Sequence, residues 1–449
     1  MKKILTSIMV SLTAGSLHGA GTNLLSVDVL DLPAAARIAL ADNPSIEAAH
    51  ARIEQAKGRL RQARAPYWPG IFGDASYFRR DIAENLVSPA AALTDPADVY
   101  SASLQVQWLV FDGFARRFNS MAARYAHRGS KEAMQDTRRQ LLGAVANAYY
   151  SAQLARENIA IAQADEEFNQ RQLEDAKARH DAGTGSLSDA LNFEVRANAA
   201  RSSLIRSRRR YDISLAGLAA LLGLPRSEFP SELQLASLEP EEEEELSSPD
   251  SDALVTSALV NRPDLRALLN EQERAEARSK AVRGEYYPVV SLGGSINGER
   301  EGDPDFSGDD FGNNVGGILT YTFSDGGERR GRLQEAKAAA AEAESNVRSL
   351  SIDVSAEVRE SVFDVNASQE ELALQRENAD LVRRNRELVE KEYSSGQGSL
   401  VRLNEAQRDL VEAKSQLALA LVVLRTAHVN LQVATGEILE MVAPVEETE

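Results

Sequence analysis

The sequence predicts a mixed α and β fold: mostly long-helix coiled coil, with four β-strands. Three observations predict it. The chain of 449 residues repeats itself internally. Each repeat holds one very long stretch without proline, from about 114 to 182 and from 327 to 395. Ahead of each stretch run segments in which apolar and polar residues alternate.

The repeat comes first, because a missed repeat misreads the whole chain. "ALADNPSIEA" (Ala39 to Ala48) matches "ALVNRPDLRA" (Ala258 to Ala267) at an offset of 219, and Tyr67-Trp68-Pro69 falls on Tyr286-Tyr287-Pro288. Between Ser76 and Asp112 the offset changes to 213 and then holds: Asp112-Gly113 falls on Asp325-Gly326, "GTGSL" (Gly183 to Leu187) on "GQGSL" (Gly396 to Leu400), and Gly223 on Gly436. The expected organisation is a signal peptide over 1–20, a first repeat over 33–224, a linker over 225–251, a second repeat over 252–437 and a tail over 438–449.

The elements follow in order. Lys2 and Lys3 precede an apolar stretch, Ile4 to Ala14, and small residues end near Ala20, which reads as a cleaved secretory signal. A helix then opens each repeat and ends near Ala65 or Glu285, where prolines follow. Next comes an alternating segment: Ile71, Gly73, Ala75 and Tyr77 share one face in the first repeat, Val290, Leu292, Gly294 and Ile296 in the second. A polar loop leads to a second alternating segment, where Tyr100, Ala102, Leu104, Val106, Trp108 and Val110 share a face, and Val106 and Trp108 map onto Leu319 and Tyr321. Period two is the strand signature. Asp112-Gly113 and Asp325-Gly326 end the strands, Asp capping a helix and Gly allowing the change of direction. The long helices follow, each roughly 100 Å at 1.5 Å per residue. A Gly-x-Gly turn closes each, and shorter helices return over about 187–222 and 400–435. The opening helix, taken as one, and the returning helix stack to the length of the long one, so each repeat reads as one strut beside two shorter ones.

The struts bury a seam of small residues. Leu141, Val145, Ala148, Ala152, Ala155, Ile159 and Ala162 step by four and three, and Val354, Val358, Ser361, Val365, Ser368 and Leu372 follow the same register. The linker carries Pro225, Pro230, Pro240 and the acidic run Glu241 to Glu245, a solvated connector.

Composition narrows the function. A net charge of −18 argues against nucleic acid. With no cysteine there is no disulfide, no thiol nucleophile and no N-terminal lipid on cysteine. After the signal the longest purely apolar run, Leu417 to Leu424, is far short of a spanning helix, so no helical membrane anchor is expected. The strands have the length that crosses a bilayer when tilted. A strand in lipid needs a closed barrel, and the smallest usual barrel has about eight strands. Four strands cannot close one, so several chains share it: two copies for eight strands or three for twelve.

The plan of strand pairs and long helices resembles the TolC-like outer membrane factor family. The matching marks are Asp112-Gly113 and Asp325-Gly326, together with "RHDAGTGSLSDAL" (Arg179 to Leu191) and "EYSSGQGSLVRLNEA" (Glu392 to Ala406) at the helical tips. The resemblance covers nearly all of the chain after the signal. It implies a homotrimer with one shared 12-stranded barrel in the outer membrane of a Gram-negative bacterium, continued by a helical barrel through the periplasm. It also implies partners: a periplasmic adaptor protein, an inner-membrane RND or ABC transporter, and outer-membrane lipid. Family members are exit ducts of tripartite efflux pumps or of type I protein secretion systems. Efflux of small molecules leads here; protein secretion stays open, and so does a soluble periplasmic coiled-coil scaffold without a pore, against which the apolar strand face with Trp108 and Tyr321 speaks.

The resemblance also assigns sites. Tyr393 and Asp189, with Ser188 beside the aspartate, fall where the family latches its tunnel, and Gly398 stands where an arginine often joins that latch. The family's acidic constriction positions read Arg402 and Glu405, three apart and near one helix face, so they are expected to pair within or between chains. Gly183, Gly185, Ser186 and Leu187, with Gly396, Gly398, Ser399 and Leu400, are candidate docking tips for the adaptor, against plain tight turns.

Nothing points to an enzyme, a cofactor or a metal. His18, His50, His127, His180 and His428 are scattered without metal-ligand spacing. The acidic stretch Glu299 to Gly312 lacks the pattern of an EF-hand and reads as an extracellular loop. Arg208-Arg209-Arg210 reads as solvated ion pairs on a helix.

Overall fold

The computed structural model describes residues 29–81, 96–230, 233–238 and 249–442. The expected signal peptide, the acidic run Glu241 to Glu245 and the last residues of the tail lie outside them. The elements are β1 (Val29–Leu30), α1 (Leu32–Asp42), α2 (Pro44–Arg64), β2 (Gly70–Arg80), β3 (Ala97–Phe111), α3 (Ala115–Asp181), α4 (Leu187–Leu221), β4 (Gln234–Leu235), α5 (Ser251–Asn261), α6 (Pro263–Gly284), β5 (Val289–Glu301), β6 (Phe311–Thr320), α7 (Glu328–Ser394) and α8 (Leu400–Thr435). They form two compact units, one of residues 47–137 with 255–357, the other of residues up to 46, 138–254 and 358 onward.

One expectation is corrected. The helix opening each repeat is two helices, α1 with α2 and α5 with α6, because Pro44 and Pro263 interrupt it. The residue before proline is driven out of the helical region: Asn43 has ψ 125° and Arg262 ψ 123°. Each break is stitched by its own polar side chain. Asn43 accepts from the N–H of Ser45 at 2.9 Å and donates to the Leu221 carbonyl at 2.8 Å. Arg262, buried, reaches Asp264 at 2.7 Å and Glu357 at 2.5 Å. Burial opposes its charge, but the two carboxylates win and hold its pKa above the usual value.

The first unit carries a four-stranded antiparallel sheet in the order β2-β3-β5-β6. β3 pairs with β2 of its own repeat and β5 of the other, so the repeats join through Leu104↔Ile296, Val106↔Gly294 and Trp108↔Leu292. The two hairpins share one register: Ile71↔Val106 and Gly73↔Leu104 recur as Val290↔Leu319 and Leu292↔Gly317. β2 and β6 are the free edges. The same unit holds the start of α3 and of α7.

The predicted seam is buried in part: Val145, Ala152, Val358 and Val365 of the second unit and Val354 of the first are fully enclosed, Ser361, Ser368 and Leu372 nearly so, while Ala148, Ala155 and Ile159 are half-buried. α3 buries a further stripe, Leu142, Ala146, Tyr149 and Gln153, that the heptad did not announce. Leu142 and Ala146 pack with Ala36, Val429 and Ile438, while Tyr149 and Gln153 meet β1 and β4, which pair in parallel, Val29↔Gln234 and Leu30↔Leu235. Tyr149 donates to the Leu30 carbonyl at 3.0 Å, and Gln153 donates to that of Ala236 at 2.9 Å. Burial pushes the Tyr149 hydroxyl up to about 12.

α8 includes an 18-residue window of mean hydropathy 1.5, long and apolar enough by composition to cross a membrane. The longest apolar run had suggested otherwise; the windows differ because Gln416 and Arg425 interrupt the run without removing its average. Part of this surface is core, where Ala420, Leu421 and Leu424 pack with Leu372.

Candidate functional site: strand-to-helix junctions and helical tips

The sheet has two chemically distinct faces, because successive strand residues point to opposite sides. Ile71, Val106, Leu104, Leu292, Ile296, Val315 and Leu319 lie on one face by register. The other carries Ser76, Ser101, Ser103, Gln105, Gln107, Ser295 and Asn297. The facing expected from alternation holds along most of the sheet; Phe72, Phe78 and Ile318 are apolar residues on the polar face, and a register shift between Leu109 and Phe111 sets Phe111, in place of Val110, opposite Val290. The apolar residues are exposed within the single chain: Ile71, Leu104, Trp108, Ile296, Val315 and Leu319 leave large side chains uncovered. Burying a side chain of this size contributes roughly 1.5–3 kcal/mol, so this face calls for an apolar environment. Trp108 keeps its indole N–H satisfied by the Tyr67 carbonyl at 3.1 Å, as a ring at a membrane boundary requires.

The repeated Asp-Gly-x-x-Arg-Arg is a junction lock. Asp112 accepts from the Arg116 N–H at 2.7 Å, and Asp325 from that of Arg329 at 3.2 Å. The first arginine of each pair then turns back on the strand end. Arg116 donates to the carbonyls of Pro66, Leu109 and Val110 and lies 4.9 Å from the Tyr67 ring centre. Arg329 donates to those of Thr322 and Glu285 and lies 5.3 Å from the Tyr286 ring. Burial pushes the Asp325 carboxyl up, yet Arg329 and two backbone N–H groups hold it below the usual range. The aspartate and glycine were legible as cap and turn; the arginine's role was not, although it is in the signature. Gly113 at φ 63° has no room for a side chain, since an added Cβ would meet the Gly284 carbonyl oxygen at 2.2 Å.

The two tips are built alike. At the end of α3 the N–H groups of Thr184 and Gly185 both bond the Arg179 carbonyl at 2.9 Å; at the end of α7 those of Gln397 and Gly398 bond that of Glu392 at the same distance. The chain re-enters a helix with Ser186 accepting from the Ser188 N–H and Ser399 from that of Arg402. Gly398 is demanded by this turn, because a Cβ there would stand 2.8 Å from the Tyr393 nitrogen. No arginine fits at that position. Gly183, Ser186, Leu187, Gly396 and Ser399 are exposed, Gly185 and Gly398 half-buried, and Leu400 packs inward. Behind the turns, Phe168, Phe193, Val389, Leu403 and Ala406 form one cluster with Tyr393 and Leu400 against it.

The structure brings some predicted gate residues together and not others. Tyr393 is half-buried and near Asp189; among the described residues no hydrogen bond joins them. Arg179 instead lies 5.6 Å from the centre of the Tyr393 ring. Burial pushes the Tyr393 hydroxyl up, Arg179 opposes, and Asp189 and Asp175 add to the rise. The cation beside this tyrosine is thus Arg179 of α3. Ser188 is exposed. Arg402 pairs with Glu392 at 3.2 Å, ten residues back across the turn, and among the described residues not with Glu405, which is exposed. The i,i+3 spacing lost because the turn folds Glu392 onto the first turn of α8. Sequence reasoning also missed a polar link above the cluster: Gln407 donates to Asp165 at 2.9 Å and Arg386 to Gln407 at 3.1 Å, both residues far apart in the chain.

Elsewhere, Asp303 and Asp310 both converge on Arg300, at 2.8 and 3.0 Å. Among the described residues no group of His, Asp and Glu gathers as a metal site would. Arg208, Arg209 and Arg210 are exposed, and among the described residues they make no ion pair, contrary to expectation, although Asp212 follows Arg208 by four residues on α4.

An amphipathic sheet with both edges open, locked by two turns onto paired 67-residue helices, defines a subunit of an outer-membrane channel. The chain belongs to the outer membrane efflux protein family, whose profile matches residues 35–224 and 254–437. It is similar to the alkaline protease secretion protein AprF of Pseudomonas aeruginosa, 26% identical over 296 residues, spanning 64% of this chain and 60% of that protein. The pyoverdine export outer membrane protein OpmQ of the same species is 23% identical over 402 residues, spanning 88% and 82%. Among solved structures, the Campylobacter jejuni CmeC outer membrane channel shares the fold with a TM-score of 0.80 at 18% identity, covering 92% of this chain and 89% of that one.

Proposed function

We propose that three copies of the chain form the exit duct of a tripartite efflux pump, which receives small molecules from an inner-membrane RND or ABC transporter through a periplasmic adaptor and performs no catalysis itself. The observation that carries this reading is the four-stranded sheet with one apolar face and two unpaired edges. In lipid each unpaired backbone group costs several kcal/mol, so chains join edge to edge until the sheet closes, and three give about twelve strands, a usual barrel size. Family membership and the likeness to CmeC support a trimer with outer-membrane placement. The name of OpmQ supports a small-molecule cargo; that of AprF favours, as second reading, a duct for secreted protein.

The gate is assigned to the tip residues Ser188, Asp189, Tyr393, Arg402 and Glu405, and the adaptor to the exposed turns beside Leu187 and Ser399. The test has two arms. Purified oligomer in planar bilayers is expected to conduct, and Tyr393→Phe with Asp189→Ala to conduct more, with the oligomer intact; unchanged conductance removes this pair from the gate. In a host stripped of its own exit ducts, with cognate adaptor and transporter supplied, restored resistance to dyes and antibiotics is expected. Restored protein export without resistance would favour the second reading, and mature protein soluble without detergent would refute both.

A further inference from the structure

We propose that each chain holds an anionic phospholipid of the periplasm-facing leaflet at a fixed place: an acyl chain lies in a hollow of the sheet's apolar face at Gly294, and the headgroup phosphate sits between Arg64 and Arg117. The inference rests on the barrel reading above and adds to it a lipid site, with the residues that take each half of the lipid.

The hollow comes from one glycine. On the apolar face Gly294 stands between Val106 and Val315 across the strands, and between Leu292 and Ile296 along its own. Having no side chain, it opens a groove of about 570 Å³ among them, an ordinary size for a ligand site. One end of the face is shut. Gly298 faces Phe311, and the Phe311 ring lies where a Gly298 side chain would go, 2.5 Å from an added Cβ. A ring laid over a strand glycine is a known way to fill such a gap. No ring covers Gly294, where the side-chain atom nearest an added Cβ is Val315 Cγ2 at 3.3 Å. The other end, at Trp108 and Pro69, opens toward the strand-to-helix junction. Trp108 and Leu104 both line the groove, and the four residues between them span about 13 Å. One leaflet's hydrocarbon is roughly 15 Å deep. An apolar groove of that length, on a face turned to lipid, fits an acyl chain.

The junction supplies the charge. Arg116 donates to the Pro66 carbonyl at 3.1 Å, which sets the start of α3 against the end of α2. Arg64 lies two residues before Pro66, and Arg117 follows Arg116. Both are exposed, and their side chains have no hydrogen-bond or ion-pair partner among the described residues. Arg116, by contrast, is spent on the lock. The four stretches that meet here, 61–69, 112–124, 283–288 and 325–332, hold nine arginines and four carboxylates in a chain of net charge −18. The field at the mouth of the groove is therefore positive, and a guanidinium fork matches phosphate oxygens. An anionic phospholipid satisfies groove and arginines together, whereas a zwitterionic one brings its own cation to them.

Trp68 and Trp108 are the two tryptophans of the chain, and both stand at the mouth, so fluorescence reads the site. Trp68→Phe leaves Trp108 as sole reporter. The oligomer of this variant is reconstituted in phosphatidylcholine vesicles with rising fractions of either phosphatidylglycerol or phosphatidylcholine brominated on its chains, which quench tryptophan on contact. Half-quenching by the phosphatidylglycerol is expected at a roughly fivefold lower fraction. Two further changes, made separately and read in protein that still runs as oligomer, are each expected to erase the difference. Arg64→Gln with Arg117→Gln removes the cations, and Val106→Phe fills the hollow while keeping the face apolar. Equal quenching by the two lipids before those changes would overturn the proposal. A preference that survives Val106→Phe is general attraction to a basic surface and would overturn the groove. One that survives loss of the arginines would overturn the headgroup site, and so would its abolition by inorganic phosphate, which would give the arginines to a free anion. No quenching of Trp108 by either lipid would sink the barrel reading itself.

Discussion

Replacing Gly113 by alanine separates two effects that coincide at the junction of β3 and α3, and the second repeat supplies the control. Gly113 sits at φ 63° and its counterpart Gly326 at φ 67°, so alanine at either carries the same left-handed penalty, about 1–2 kcal/mol. Their surroundings differ. At Gly113 the new Cβ would meet the Gly284 carbonyl oxygen at 2.2 Å and the Tyr287 Cβ at 2.9 Å, whereas at Gly326 nothing lies within 4 Å. The close atoms are backbone and the root of a side chain, so neither can rotate away, and relieving such overpacking costs about 1–3 kcal/mol more. Gly113→Ala is therefore expected to lose about 2–5 kcal/mol per chain and Gly326→Ala about 1–2. Because unfolding of such oligomers is commonly irreversible, the assay is the heat-dissociation midpoint of detergent-extracted protein at one heating rate. The expected order is wild type, then Gly326→Ala, then Gly113→Ala. Equal midpoints for the two variants would refute the close approach of β3's end to α6.

Three further expectations follow from other parts of the structure. Leu104→Arg should cut outer-membrane levels, at roughly 2–4 kcal/mol for a charge at the midplane, while Ser103→Arg on the polar face should be tolerated; equal loss in both, by immunoblot of membrane fractions, would mean the faces are misassigned. Arg402→Asp replaces a cation by an acid beside Glu392, its present partner at 3.2 Å, and should shift the bilayer reversal potential toward cations; no shift would put Arg402 away from the ion path. Tyr149 holds its proton up to about pH 12 when folded, against 10 for the free group. The folded state binds the proton more tightly, so this contribution is whole below pH 10 and is lost as pH rises toward 12. Tyr149→Phe should dissociate more easily near neutral pH, having lost the bond to Leu30, yet show a shallower fall of its midpoint between pH 10 and 12; parallel curves would acquit Tyr149.

What the sequence determined by itself is what depends on neighbours along the chain. Proline-free runs bounded by Asp-Gly and Gly-x-Gly placed α3 and α7 to within one residue at each end, and period two set the facing of the strands up to the bulge before Phe111, because both signals are local. Pro44 and Pro263 were equally visible, and the breaks they impose were underweighted. The tertiary structure alone decided the order β2-β3-β5-β6, the cover that β1 and β4 lay over Tyr149 and Gln153, and the fate of the charged groups. Arg116 and Arg329 could as well have faced solvent; only the approach of the strand ends turns them into locks. Arg402 chose Glu392 over Glu405 because a turn shortened ten residues of chain to 3.2 Å, and Arg179 reached Tyr393 because the two tip hairpins bury a common cluster. A charged side chain takes whichever partner the packed backbone brings within reach, and that distance is set by contacts between elements far apart in sequence.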